Sequence, residues 1–195
     1  MCGIVGVISK LKNGFWQQHV SLFEEMLKMD SIRGPDSTGV FGVNKSGKID
    51  VLKGDSDGYL FTRSGDWGEW KKRMGDIYRI AIGHNRKATR GNISPENAHP
   101  FKEQNITLVH NGTIFNQKEF SAEVEVDSHA IAHALLDADA SAALEKINGA
   151  FALVWFDQNQ KTLNLARNKE RPLCLLEYVA FWIISSEAGL PIWLN

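Results

Sequence analysis

Apolar residues recur with two different periods in the first quarter of the chain, and each period predicts a type of element. Small and β-branched residues fill Cys2 to Ile8, which is typical of a buried strand. From Gln17 to Met29 the apolar residues recur every three or four positions, which predicts an amphipathic helix. Val40 to Val43 and Ile49 to Leu52 flank the polar run Asn-Lys-Ser-Gly, and this arrangement predicts a hairpin.

The rest of the chain carries further strands and helices. Tyr78 to Gly83 and Ile106 to His110 are apolar runs typical of strands, and a long polar loop separates them. Ser128 to Leu136 and Ala140 to Ile147 have the composition of helices. The last quarter predicts a meander of four strands, namely Phe151 to Phe156, Thr162 to Ala166, Leu173 to Leu176 and Ala180 to Ile184.

The segment from Asp55 to Met74 has a different character. It is polar and contains several glycines, so we expect it at the surface with one short helix. Its two tryptophans, Trp67 and Trp70, are expected either to pack in the interior or to cover a partner surface.

The order of these elements predicts the fold class. Two groups of strands with helices between them indicate an α+β fold, in which two stacked, mainly antiparallel sheets are covered by helices on their outer faces. A chain of 195 residues has the size of one domain, and no repeat or linker interrupts it. Residues 1–195 are therefore predicted to form a single domain.

Composition excludes several classes of function. The formal net charge is −1, from 22 basic and 23 acidic residues spread along the chain, so no long-range field favours nucleic acid or an anionic membrane. No apolar stretch approaches the roughly 18 residues that a membrane helix needs. Two cysteines do not indicate a disulfide scaffold or a zinc cluster. We therefore expect a cytoplasmic protein with a small neutral or zwitterionic ligand.

Cys2 is the first candidate for chemistry. Removal of the initiator methionine before a small residue would leave Cys2 with both a thiol and a free α-amine. Such an amine has a reference pKa of about 7.7 to 8.0, so near neutral pH it can accept the thiol proton, directly or through water. The alternative interpretation is that Cys2 only packs at the start of a buried strand. Cys174, which lies between two leucines, is interpreted as inert packing.

Further segments supply the groups that acyl transfer from an amino-acid amide needs. The side-chain amide of Asn111 and the backbone N–H of Gly112 can receive a developing oxyanion, although Asn-Gly is also a common turn pair. Arg86 follows a strand and can make a bidentate contact with a carboxylate. Asp127 can bind an ammonium group, or it can cap the helix that follows it.

Together these segments resemble the class II glutamine amidotransferases. One such motif would be weak, but the ordered set covers nearly the whole chain and is highly specific. The motifs are Met1 to Gly6, Arg33 to Gly39, Gly83 to Gly91, Asn97 to Phe101, His110 to Gly112, Asp127 to Ser128, Gly149 to Phe151 and Ser185 to Glu187.

The resemblance implies a fold, a reaction and a set of site residues. The fold is the four-layer αββα sandwich of the N-terminal-nucleophile hydrolases. The reaction is hydrolysis of the side-chain amide of L-glutamine through a γ-glutamyl thioester. The residues are the nucleophile Cys2, the oxyanion hole of Asn111 and Gly112, the clamps Arg86 and Asp127 on the substrate's carboxylate and ammonium, and the supporting pocket residues Arg33, Thr89, Asn97 and His99.

The same resemblance leads to expectations about partners. The ammonia is expected to pass to an acceptor synthase domain or subunit outside this chain, and such a partner is expected to order Asp55 to Met74 and Asn92 to Pro100. Two alternatives stay open: hydrolysis of another amide or γ-glutamyl compound, and a non-catalytic module that binds glutamine.

Neither a cofactor nor a metal ion is expected. The chain contains no phosphate-binding glycine loop followed by lysine, so nucleotide use is not expected. His129 and His133 stand four residues apart on a predicted helix, a spacing that can present two metal ligands on one face. Because no third ligand or acidic partner follows nearby, we do not expect this pair to bind a metal ion.

Overall fold

The computed structural model describes residues 2–12, 14–88, 91–121, 123–137, 139–187 and 189. Their strands are β1 (Gly3–Ser9), β2 (Ser37–Asn44), β3 (Ile49–Gly54), β4 (Tyr78–Arg86), β5 (Phe101–Glu103), β6 (Ile106–Ile114), β7 (Gly149–Asp157), β8 (Thr162–Arg167), β9 (Cys174–Glu177) and β10 (Phe181–Ser185). The helices are α1 (Gln17–Asp30), α2 (Gly58–Phe61), α3 (Gly65–Asp76), α4 (Gln117–Phe120), α5 (Asp127–Asp137) and α6 (Ala140–Glu145).

The strands form two antiparallel sheets. The large sheet has six strands in the order β3-β2-β4-β1-β10-β9, and the small sheet has four in the order β5-β6-β7-β8. At the centre of the large sheet, Val5 of β1 lies opposite Gly83 of β4 on one side and Ser185 of β10 on the other. Strands β1 and β4 are therefore flanked on both sides, and their backbone groups pair within the sheet.

Three apolar clusters show how the layers stack. Between the two sheets, Ile4, Phe41 and Ile82 of the large sheet pack with Val109 and Val154 of the small sheet. A second cluster joins α1 and α3 to the large sheet, and a third joins α5 and α6 to the small sheet. Helix, sheet, sheet and helix thus follow one another, which confirms the predicted α+β sandwich of two antiparallel sheets.

Helix α1 confirms the helix predicted from apolar spacing. The prediction covered Gln17 to Met29, and the helix spans Gln17–Asp30. Its buried side chains include Val20, Phe23 and Leu27, which are spaced three and four residues apart and therefore form one stripe facing the large sheet. None of the described helices is long and apolar enough to cross a membrane.

The predicted four-strand meander at the end of the chain is wrong. Strands β7 and β8 pair in the small sheet, but β9 and β10 lie in the large sheet, where β10 pairs with β1. The segment from Lys169 to Pro172 is therefore part of a crossover between the sheets. Alternation of apolar and polar residues identifies strands, but it does not specify which sheet each strand joins, because that depends on pairing with distant residues.

The segment from Asp55 to Met74 is also corrected. It contains α2 and most of α3, and Trp67, Trp70 and Met74 are buried against α1 and the large sheet. The two indole rings stack with centroids 5.3 Å apart. The spacing of these three residues is helical, so the apolar stripe outweighs the polar composition around it. Neither tryptophan is available to cover a partner surface.

Candidate active site

Cys2 precedes the central strand of the large sheet. Pairing of β1 with β4 sets Gly3 opposite Asn85, which brings Cys2 beside the residues that follow β4. The backbone N–H of Lys87 donates to Cys2 Sγ over 3.3 Å, and the thiol in turn lies 3.5 Å from the carbonyl oxygen of Lys87. The sheet register therefore fixes the position of the thiol although Cys2 itself lies outside the strand.

The thiol is held in its protonated form by its surroundings. Burial raises the pKa of Cys2 above its usual value of 9.0, and the carboxylate of Asp127 raises it further. The hydrogen bond from the Lys87 backbone and the positive charge of Arg86 act in the opposite direction, but burial outweighs them. A thiol with a raised pKa needs a base to become a nucleophile.

Arg86 is the last residue of β4 and is buried. Its Nη1 donates to the carbonyl oxygen of Asn92 over 3.3 Å, so the guanidinium also stabilises the loop between β4 and β5. The carboxylate of Asp36 supports the same segment, because its Oδ2 accepts the backbone N–H of Ala88 at 2.7 Å. Asp36 was not singled out as a site residue from the sequence, although it lies in the motif Arg33 to Gly39.

Strand β6 carries the predicted oxyanion hole. Asn111 is buried, and its amide nitrogen Nδ2 has no hydrogen-bond partner among the described residues. Leaving a buried donor unpaired costs free energy, so such a group is a candidate for binding a ligand. At Gly112 an added Cβ would lie 1.9 Å from the carbonyl oxygen of Ala150 on β7, so only glycine fits there.

Asp127 is the first residue of α5 and is buried. Its Oδ2 accepts the backbone N–H of Ile114 at 3.0 Å, and its Oδ1 accepts the backbone N–H of Ser128 at 2.9 Å. The carboxylate therefore ties the helix to the end of β6 and satisfies a donor of the first helical turn. The hydroxyl of Ser128 lies a further 3.5 Å from Oδ1, so Oδ2 is the oxygen with a lone pair available for a substrate ammonium group.

Three buried histidines lie beside these residues. The rings of His84 and His99 are in contact, with centroids 3.8 Å apart and an angle of 35° between their planes, and Nε2 of His84 lies 2.9 Å from the carbonyl oxygen of His110. Burial lowers the pKa of His84 to about 3, and it also lowers the pKa values of His99 and His110. His110 Nδ1 lies 2.9 Å from the hydroxyl of Ser128. At neutral pH the cluster is therefore uncharged.

A buried carboxyl group lies against the backbone of the residue that follows Cys2. Asp30, at the end of α1, accepts a hydrogen bond from Asn85 Nδ2 at 3.1 Å, while its Oδ1 has no partner among the described residues. It is so close to the backbone of Gly3 that a Cβ there would lie 1.7 Å from Oδ2. Burial raises the pKa of Asp30 to about 6. The helix predicted from the sequence ended at Met29, and no role was assigned to Asp30.

One cleft collects five of the predicted residues. Its volume is about 290 Å³ when all space not filled by atoms is counted, including space that is open to solvent. The predicted residues that line it are Cys2, Arg86, His99, Gly112 and Asp127, and the remaining lining residues are Lys87, His110, Val126 and Ser128.

The other predicted residues lie elsewhere. Asn111 stands between two lining residues on β6 without lining the cleft itself. Arg33 is paired with Glu187 at 3.1 Å and donates to the carbonyl oxygen of Ser186, so it joins the loop before β2 to the segment after β10. Asn97 Nδ2 donates to Glu125 Oε2 at 3.1 Å. Thr89 lies outside the described residues.

Comparison of the sequence with known proteins identifies relatives of this chain. The profile of the family described as "Glutamine amidotransferase domain" matches residues 84–190, more than half of the chain. The glutamine–fructose-6-phosphate aminotransferase (isomerizing) of Thermotoga maritima is 31% identical over 89% of this chain and 29% of its own length. The enzyme of the same name from Caulobacter vibrioides is 31% identical over 96% of this chain and 32% of its own length. The chain thus spans about a third of these curated relatives.

Solved structures show the same fold. The glutamine phosphoribosylpyrophosphate amidotransferase of B. subtilis, solved with ADP and GMP, superposes with a TM-score of 0.72 at 20% identity, over 99% of this chain and 43% of that one. A structure described as the allosteric regulatory enzyme of purine biosynthesis superposes with a TM-score of 0.76, also at 20% identity and with the same coverage. At this identity the likeness concerns the fold alone.

Proposed function

The chain belongs to the class II glutamine amidotransferase domains, and on that premise we propose that it hydrolyses the side-chain amide of L-glutamine with Cys2 as the nucleophile. The observation that carries the proposal is the convergence of Cys2, Arg86, Gly112 and Asp127 on one cleft. A thiol, a cation, an anion and a backbone donor are the groups that a zwitterionic amino-acid amide requires.

Activation of the thiol is the first step. Because burial raises the pKa of Cys2, the thiol needs a base, and we assign that role to the α-amine that removal of Met1 would give Cys2. The amine takes the thiol proton, directly or through water, and Sγ forms a bond to the amide carbon of glutamine. The buried histidines are poor candidates for this base, since their lowered pKa values leave them weakly basic.

The tetrahedral intermediate places negative charge on the former carbonyl oxygen. Asn111 Nδ2 and the N–H of Gly112 are proposed to bind that oxygen, and the unpaired state of Nδ2 supports the assignment. The carbon–nitrogen bond then breaks. The departing nitrogen takes the proton held by the α-ammonium group of Cys2 and leaves as ammonia. Water hydrolyses the γ-glutamyl thioester, which releases glutamate and restores the thiol.

Arg86 and Asp127 are proposed to select the substrate. Arg86 would bind the α-carboxylate and Asp127 the α-ammonium group, so that only an amino acid engages both. His99 is proposed to shape the wall of the cleft. Arg33 is proposed to support the site at a distance, through its pair with Glu187.

Replacement of the two cysteines tests the nucleophile. We expect Cys2→Ala to reduce glutamate release to background while the far-UV circular dichroism and the thermal midpoint stay those of the wild type. Cys174→Ala is the matched control, since Cys174 lies on β9 outside the cleft, and it should keep full activity. Glutamate release by Cys2→Ala at the wild-type rate would contradict the proposal. Glutamine binding without turnover in the wild type would instead favour a non-catalytic module.

The ammonia is proposed to pass to an acceptor synthase domain or subunit. The relatives named glutamine–fructose-6-phosphate aminotransferase support this, because the matched region is only 29% and 32% of their length in the two cases described. Pull-down from the native host followed by a glutaminase assay tests the coupling, and a partner that raises kcat is expected. Full, saturable activity of the isolated chain with no stimulating partner would contradict it.

A further inference from the structure

A second group of chemically active side chains lies at the edge of the small sheet. Glu103 ends β5, which is the edge strand, and His129 and His133 lie one turn apart on α5. Helix α5 packs directly on β5 and β6, so the pairing of elements brings together residues that are 26 and 30 positions apart. The cleft around Cys2 contains none of these three residues.

Two of the distances between the three side chains match those of ligands around one ion. Nε2 of His129 lies 3.2 Å from Oε2 of Glu103, and Nε2 of His133 lies 3.6 Å from the same oxygen. All the ligand atoms lie within 4.8 Å of one another. Two atoms bound about 2.0 to 2.1 Å from Zn²⁺ at a tetrahedral angle stand about 3.3 to 3.4 Å apart. The two separations from Glu103 Oε2 bracket that value.

Aromatic contacts hold the two imidazoles in place. The ring of His129 stacks on Phe101, with centroids 5.2 Å apart and an interplanar angle of 20°. His129 and His133 stack on each other at the same centroid distance, with an angle of 28°. The side chains of both histidines are 33% exposed and that of Glu103 is 26% exposed, so an ion can reach them from solvent. The imidazoles are therefore held close together by aromatic contacts, and all three side chains are accessible to an ion from solvent.

We propose that Glu103, His129 and His133 bind a divalent late transition-metal ion, with Zn²⁺ as the best match. Two imidazoles and one carboxylate suit Zn²⁺ and its neighbours in the series, whereas Ca²⁺ and Mg²⁺ require sets of oxygen ligands. Water completes the coordination. The sequence expectation that no third ligand lies near the two histidines is wrong, because β5 supplies Glu103 from a distant part of the chain. This site is separate from the proposed glutaminase chemistry.

Titration of the metal-free protein with Co²⁺ tests the proposal, because tetrahedral Co²⁺ absorbs strongly in the visible and thiolate ligands add a charge-transfer band in the near ultraviolet. The wild type is compared with His129→Gln, His133→Gln and Glu103→Gln. Glu119→Gln on the neighbouring helix α4 is the matched control, since it also neutralises a carboxylate but lies outside the cluster. Zn²⁺ is then added to displace Co²⁺.

We expect one Co²⁺ per chain, no thiolate band, and displacement by Zn²⁺. Each of the three ligand variants should weaken binding by about 100-fold, because even residues outside the first coordination shell typically contribute 10- to 100-fold. The Glu119→Gln control should bind like the wild type. The absence of saturable binding, a thiolate band that identifies a cysteine site, or equal affinity in Glu103→Gln would overturn the proposal. Should a variant fail to fold, anomalous scattering from Zn²⁺-soaked wild-type crystals decides, since the peak must lie among these three side chains.

Discussion

Substitution of Asn111 by alanine separates catalysis from stability at the proposed oxyanion hole. The buried Nδ2 atom has no hydrogen-bond partner among the described residues. Removing it therefore breaks no described hydrogen bond from that atom in the resting protein, but it removes a donor from the transition state. Loss of one such donor lowers kcat by about 100- to 1000-fold, equivalent to about 3 to 4 kcal/mol. We expect that loss with little change in KM.

Asn85 provides the matched control, because it is a buried asparagine with a full set of partners. Its Nδ2 donates to the carbonyl oxygen of Leu27 at 3.0 Å and to Asp30 at 3.1 Å, and its Oδ1 accepts the hydroxyl of Thr38 at 2.8 Å. Asn85→Ala leaves three buried groups unpaired, each at a cost of about 1 to 3 kcal/mol. The free energy of unfolding should therefore fall by at least about 3 kcal/mol.

Steady-state glutamate release at saturating glutamine, combined with urea unfolding of the same preparations, measures both quantities. Asn111→Ala should lose activity and keep most of its free energy of unfolding. For Asn85→Ala the main effect should be a lower free energy of unfolding. A kcat of Asn111→Ala within about threefold of the wild type would refute the assignment, since a working oxyanion donor contributes far more than that. A loss of stability as large as that of Asn85→Ala would refute the interpretation of Nδ2 as unpaired.

Three further predictions concern Gly112 and two buried titratable side chains, Asp30 and His84. Gly112→Ala should abolish glutamate release and lower the thermal midpoint, because its Cβ would lie 1.9 Å from the backbone oxygen of Ala150; wild-type kinetics would contradict this. Asp30→Asn should raise the free energy of unfolding at pH 8 by about 3 kcal/mol, because the pKa of Asp30 is raised from 3.8 to about 6 in the folded protein. The gain should vanish below pH 4, and equal urea midpoints of the two proteins at pH 8 would count against the prediction. The pKa of His84 is lowered from 6.5 to about 3, so as the pH falls the unfolded chain binds a proton at this histidine before the folded chain does. In the Asp30→Asn background, the free energy of unfolding should therefore drop by about 2 kcal/mol or more from pH 7 to pH 5. A constant free energy of unfolding over this range would refute the prediction.

Much of the fold follows from local patterns, and the errors concern distant pairing. Helix α1 and the β2–β3 hairpin are recognisable because their apolar periods are strong and their turns are short. The sequence does not reveal that β9 and β10 belong to the large sheet. The residues of β10 are those of an ordinary strand, and its partner β1 lies at the other end of the chain. The helical spacing of Trp67 and Trp70 was a usable signal that the polar surroundings obscured.

The candidate site was predicted best where one motif carries one role. Cys2, Arg86, Gly112 and Asp127 were all named from the sequence, and all four line the cleft. Supporting residues were missed because their roles depend on contacts between separate loops. Asp36, for example, bonds to Ala88 over 52 positions, and no spacing in the sequence indicates that contact. Glu103 beside His129 is a second case, created only by the packing of α5 on β5.

Covalent capture of Cys2 by a glutamine analogue tests the central claim most directly. 6-Diazo-5-oxo-L-norleucine takes up a proton at its terminal carbon and loses dinitrogen as a thiolate forms a bond to that carbon, so it reports both recognition of glutamine and activation of the thiol. Intact-mass measurement followed by peptide mapping should show one adduct, on Cys2 of chains that lack Met1, with Cys174 unmodified and with protection by excess glutamine. An unmodified Cys2 in folded protein that lacks Met1, or labelling of Cys174 instead, would contradict the account.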